Sequence, residues 1–319
     1  MNLTPPKGFS TLTNGLISIS LGIVISIQSR ANGVLAVKMN SSFGGALASQ
    51  IAAWIFIIPI FLFNRSARKS LTSILPALRS KQLHWWELTG GVFGGLFLSI
   101  QSYTVPIIGV ALFTIALIAG QTLGSLIVDR TAFSPSGKQP ITFARFMAAF
   151  FTLISVVISV IPELRHSTLK FLPLLLTLFA GIFIAMTQGV NGRSESVLKN
   201  SMPVTFLNFL FGTIILCIGL AITFLSSHPH LFYPRNPWYY IGGPAGLLYI
   251  AISAIIVKYI GVLKFVLYLI AGQLTGALIL DWLMPTSKSS INSYVVVGTL
   301  ATFLSIVIAN RFQKSTEAV

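Results

Sequence analysis

Hydrophobic positions in this chain fall in runs of about 17 to 25 residues, the length a helix needs to cross the hydrocarbon core of a bilayer. Ten such runs can be placed, at roughly 10–35, 43–63, 86–104, 107–128, 142–161, 170–192, 203–225, 238–257, 260–281 and 291–310. The connections are short, except Asn64 to Trp85 and Ser226 to Pro237. The first run follows a lone Lys7 with no small-residue cleavage site behind it, so it is expected to stay as the first helix rather than leave as a signal peptide. The stretch from Asn64 to Trp85 carries Arg65, Arg68, Lys69, Arg79 and Lys81 around an apolar SILPAL core. It suits a helix lying on the membrane surface, or equally a solvated basic loop.

The polar positions inside these runs are not scattered; they recur. Ile118–Asp129 reads IAGQTLGSLIVD and Ile270–Asp281 reads IAGQLTGALILD, with eight of twelve positions identical at an offset of 152. Trp86, Gly90, Gly91, Gly94 and Gly109 recur at the same offset as Trp238, Gly242, Gly243, Gly246 and Gly261. Gly22, Asn32 and Gly33 match Gly181, Asn191 and Gly192 at an offset of 159, the difference suiting a longer loop after the second run of the first half. The expectation is an all-α membrane protein of ten transmembrane helices, built from two five-helix repeats over 1–165 and 166–319. Five is odd, so the second repeat enters the membrane upside down relative to the first. Inverted repeats of this kind are the architecture of alternating-access transporters; a membrane scaffold or interaction subunit is the alternative.

Composition agrees with the span count. Of 319 residues, 54% are hydrophobic and 8% charged, against roughly 25% charged in a soluble domain. The net charge of +15 would point to nucleic acid in a soluble protein. Here the basic residues sit mostly between the runs, so nucleic acid is not expected, and 15 of the 21 Lys and Arg fall on the N-terminal side of the ten-span arrangement. The positive-inside rule then puts both termini in the cytoplasm of a multi-pass inner membrane protein. The lone Cys217 can form no internal disulfide.

Candidate chemistry follows from the repeat. Gln121 and Gln273 each sit beside a pair of glycines four residues apart, which lets another helix approach closely. An amide at that depth needs a partner, so these glutamines either join helices or line a central site. Asp129 and Asp281 follow eight residues later, about 12 Å along a helix. They end their helices, where the macrodipole disfavours an anion. The topology puts them at opposite faces, as candidate gates paired with cations or as headgroup-level helix ends. The first span adds Gln28, Arg30 and Asn32, the sixth adds Gln188 and Asn191, and the third adds Gln101, all candidate substrate-binding groups. Arg30 either binds an anion in the cavity or snorkels to the interface, which makes an anionic or zwitterionic small molecule the expected substrate. Arg193 and Glu195 lie near the end of the sixth span, with Glu195 a partner for Arg193 or Lys199. No phosphate loop is present, the four histidines fall in loops, and His228 and His230 have no acid or cysteine nearby. No enzyme activity, metal or cofactor is expected, and two halves in one chain let a monomer function.

The combination of Gly22, Gln28, Asn32 and Gly33, a GG-xx-G opening at Gly90, and AGQxxGxLxxD at Ala119 resembles the YdcZ-like branch of the drug/metabolite transporter superfamily. Members are commonly single five-helix proteins, and this chain looks like two such units fused. The resemblance implies a ten-helix inner-membrane secondary transporter, exporting a small metabolite or drug-like molecule. Related small multidrug proteins use a glutamate in the first helix; this chain has none there.

Overall fold

The computed structural model describes residues 11–128, 130–131, 143–165, 171–285 and 292–304. Helices account for nearly all of them: α1 (Thr11–Lys38), α2 (Ser42–Phe63), the short α3 (Arg65–Leu71) and α4 (Ile74–Arg79), α5 (Gly90–Val128), α6 (Phe143–Arg165), α7 (Phe171–Leu198), α8 (Ser201–Ser227), α9 (Gly242–Leu283) and α10 (Ser293–Leu304). Five of them, α1, α2, α5, α7 and α8, are long and apolar enough to cross a membrane. The basic stretch after α2 is helical in two short pieces, started by the Asn64 side chain, which accepts from the Ser66 and Ala67 amides.

The third and fourth runs join without a loop. α5 has 39 residues, about 58 Å if straight, nearly twice the hydrocarbon thickness. It is broken at one residue, Gly109, with φ 77° and ψ 169°. A side chain there would be strained, so a single glycine does the work expected of a connection.

Lipid-facing and buried positions separate by residue type. Ile214, Ile218, Ile222 and Leu225 form an exposed stripe along α8. The interior is rich in glycine, serine and threonine, whose hydroxyls return to the carbonyl one turn back, as in Ser18 to Asn14, Thr104 to Ile100 and Thr177 to Pro173. Small buried residues let helices meet backbone to backbone where lipid supplies no hydrophobic drive between them.

The closest meetings link one half of the sequence to the other. A Cβ on Gly120 would lie 2.0 Å from the Leu178 carbonyl oxygen, and one on Gly272 would lie 2.0 Å from that of Ile19. Gly181 presses on Leu117 and Gln121, and Gly22 on Leu269 and Gln273. Gly124 meets Ile182 and Ala185, and Gly276 meets Ile23 and Ser26. Each set repeats the other at offsets of 152 and 159. α1 therefore runs beside the second part of α9 in the same direction, and α7 does the same beside the second part of α5.

These contacts define two ends of the bundle. At the Lys38 end, α1 finishes, α5 breaks at Gly109 and α9 ends. At the Leu198 end, α1 begins and α5 and α7 finish. Gly120→Ala and Gly272→Ala are each expected to lower unfolding stability by about 1–3 kcal/mol, because the added methyl meets backbone. Gly94→Ala, whose Cβ finds its nearest neighbour at 3.6 Å, is expected to change it little; unfolding in detergent compares the three.

Candidate functional site

A cavity of about 500 Å³ lies between the helices. Its wall is made largely of repeat-related pairs: Gln121 with Gln273, Leu117 with Leu269, Ile118 with Ile270, Phe97 with Tyr249, Ile25 with Ile184 and Gln28 with Thr187. Ser49 and Asn208, Gln50 and Phe209 add further pairs on α2 and α8. Those positions also correspond at an offset of 159, a match hidden in the sequence because the residue types differ.

Of the expected binding residues, Gln28, Gln121, Gln188, Asn191 and Gln273 are on this wall. Gln121 Nε2 donates to Gln188 Oε1 at 3.2 Å, which joins α5 to α7 across the cavity edge. Arg30, Asn32 and Gln101 are not on the wall. Asn32 and Gln101 belong to a dry network behind it. Ser49 Oγ donates to Asn32 Oδ1 at 2.6 Å, Asn32 Nδ2 donates to Gln101 Oε1 at 2.7 Å, and Gln101 Nε2 donates to Ser29 Oγ at 2.9 Å. Both amides are fully buried, so a solute in the cavity cannot reach them in this conformation.

Asn208 is the main addition to the sequence-derived set. Its Oδ1 is buried beside the cavity with no partner. The one available signal was its place in the repeat, opposite Ser49.

The wall departs from symmetry in one direction. Thr122, Ser125, Gln188 and Asn191 line the cavity, while their repeat mates Leu274, Ala277, Ser29 and Asn32 are 3%, 0%, 2% and 0% exposed. Val266 lines it while its mate Thr114 is buried. All five open positions lie toward the Leu198 end, and all five closed ones toward the Lys38 end; Gly243 alone extends the wall the other way.

The closed end is held by polar groups. Asp281 is buried and its carboxylate crosses to the broken end of α5, accepting from the Val110 amide at 3.0 Å and the Ala111 amide at 2.7 Å. The expectation that this carboxylate opposes its own macrodipole is therefore incomplete. It caps the start of a neighbouring helix, where an anion is favoured. Its carboxylate is turned into the protein rather than left exposed at a helix end. Arg30 donates to the Met284 carbonyl and stands near enough to Asp281 for their charges to interact. The guanidinium is thus held at the closed end and is not on the cavity wall, with its Nε buried and without a partner. Asp129 lies outside the described residues. At the Leu198 end, Arg193 pairs with the buried Glu87 at 3.1 Å rather than with Glu195, which is exposed.

A bundle of apolar helices around a solute-sized cavity, mostly apolar with amide and hydroxyl groups set into it, is the form of a multi-pass membrane transporter. The sequence matches the family described as "Putative inner membrane exporter, YdcZ" twice in succession, over residues 14–158 and 172–308. The chain belongs to that family, in a two-unit form. A search of curated proteins finds no match.

Asp281→Ala would leave two buried amides without an acceptor, and is expected to cost about 2–4 kcal/mol of unfolding stability. Asp281→Asn keeps one acceptor oxygen and is expected to lose less; thermal unfolding in detergent ranks them.

Proposed function

We propose that this protein is a secondary transporter that exports a small molecule by alternating access between two inverted five-helix repeats, 1–165 and 166–319. The observation that carries the reading is the paired wall: repeat-related residues are open to the cavity at one end and shut at the other. If the two halves exchanged conformations, Leu274, Ala277, Ser29 and Asn32 would be uncovered, and Thr122, Ser125, Gln188 and Asn191 would close. In that state Asn32 joins the wall, which returns it to a substrate-binding role.

Charge supports the orientation. Arg65, Arg68, Lys69, Arg79, Lys81, Arg130, Arg193 and Lys199 gather at the Leu198 end, against Arg30, Lys38 and Arg235 at the other, among the described residues. The positive-inside rule makes the Leu198 end cytoplasmic, so the cavity faces the side from which an exporter loads. Asp281 then belongs to the outer gate, with Arg30 beside it, and the repeat assigns Asp129 to the inner gate. Both termini are cytoplasmic, and one chain supplies both halves of the cavity, which suits a functional monomer.

Cysteine accessibility tests the exchange. In a Cys217→Ser background, Thr122→Cys is expected to react with a membrane-impermeant maleimide from the cytoplasmic side, and Ala277→Cys only from the outside and only in the minor, outward-open population. Equal labelling of both from one side would sink alternating access. A metabolite-flux screen in proteoliposomes, with and without a proton gradient, tests transport itself; no protein-dependent flux in any class would count against it.

A further inference from the structure

We infer that the cavity selects uncharged, amphipathic solutes bearing amide- or hydroxyl-type hydrogen-bonding groups, and rejects ions of either sign. The inference rests on the transporter reading and names the substrate class of the same cavity. Every polar side chain on its described wall is an amide or a hydroxyl: seven amides come from Gln28, Gln50, Gln121, Gln188, Gln273, Asn191 and Asn208, with serine, threonine and tyrosine side chains beside them. Phe97, Phe209 and aliphatic residues supply the apolar remainder. Each amide offers both a donor and an acceptor, so the wall can satisfy neutral groups of either polarity.

Among the described residues, the wall offers an ion no charged side chain. Two charged side chains close to the wall in sequence have partners of their own: Arg30 donates to the Met284 carbonyl, with its Nε left buried and unpartnered, and Arg193 pairs with Glu87. A charge taken to membrane depth without a counter-ion loses its hydration and gains only dipoles in return. The free hydrogen-bonding capacity, by contrast, is large. Gln28 and Gln273 make no side-chain hydrogen bond among the described residues, and Asn208 Oδ1 is buried without a donor. A neutral solute with its own N–H and C=O groups would remove that deficit. On this inference the substrate is neutral, where Arg30 in the sequence alone suggests an anionic or zwitterionic one.

Four compounds on one scaffold, compared at about pH 6 where the amines are protonated and the carboxyls ionised, isolate charge: N-acetyl-phenylalaninamide (neutral), phenylalaninamide (cation), N-acetyl-phenylalanine (anion) and phenylalanine (zwitterion). With the full chain in nanodiscs, thermal stabilisation is expected to need about tenfold less of the neutral compound than of any other. A charged member that binds equally or better, or no stabilisation by any of the four, would overturn the inference. Gln121→Glu, with Gln273→Glu as the alternative if the first does not fold, is expected to move the preference to phenylalaninamide; an unchanged order would place the ligand elsewhere. Flux of radiolabelled N-acetyl-phenylalaninamide in proteoliposomes separates the two readings. Binding in the expected order without flux removes transport and leaves the charge rule, whereas flux with the order reversed removes the charge rule alone.

Discussion

The fold depends on backbone touching backbone across the two halves of the chain. Gly120 lies against the Leu178 carbonyl and Gly272 against that of Ile19, at separations where no other residue fits. The first helix of each half is packed on the AGQ helix of the other, so neither half closes its own core. This exchange fixes the cavity as well. Gln121 and Gln273 follow directly after the glycines that make the contact, and the same close approach that holds the helices together turns these amides toward the shared space. In a bilayer, where burying apolar surface between helices gains little, such glycine seams supply the packing that a hydrophobic core supplies in water.

Where the seams are symmetric, the ends are not. At the Lys38 end the Asp281 carboxylate holds the first free amides of the resumed α5 helix, and Arg30 ties α1 to the end of α9. The repeat position of Arg30 in the second half is Gly189, which has no side chain to do the same. A glycine break such as Gly109 exposes helix-terminal donors in the bundle interior, and a buried carboxylate is the economical answer to that need. The Lys38 end is therefore held by a chemical contact beyond packing, and at the Leu198 end the described residues show a different pair, Arg193 with Glu87.

Much of this was legible in the sequence, for a physical reason. Span lengths are set by bilayer thickness and show as apolar runs, and helix seams need glycine, which leaves a mark that duplication makes easy to see. Gln121, Gln273, Gln28, Gln188 and Asn191 could be named because an amide among apolar residues stands out. The dry network was not legible: Asn32 and Gln101 look like the wall glutamines in sequence, and only the meeting of α1, α2 and α5 shows that they satisfy one another. Asp281 was read against its own helix because sequence gives no sight of the helix that starts beside it. Asn208 was overlooked because its mate is a serine, so the duplication left no identity to notice.

The pattern of likeness and difference between the halves also has a thermodynamic sense. On α5 and α9 the wall pairs are chemically matched, with glutamine, leucine, isoleucine and aromatic positions repeated, whereas Gln28 with Thr187, Ser49 with Asn208 and Gln50 with Phe209 are not. Under the proposed exchange of the two halves, such matched positions would offer a solute similar surroundings whichever end is open, and a ligand bound equally by two states shifts neither. The flanking pairs are unmatched, with Thr122 against Leu274, Gln188 against Ser29, and Arg30 against Gly189. Differences placed there act on the empty protein and on its choice of open end, and leave the central contacts alone. In a duplicated transporter, the centre is then where symmetry is kept, and the access routes are where the two halves are free to diverge.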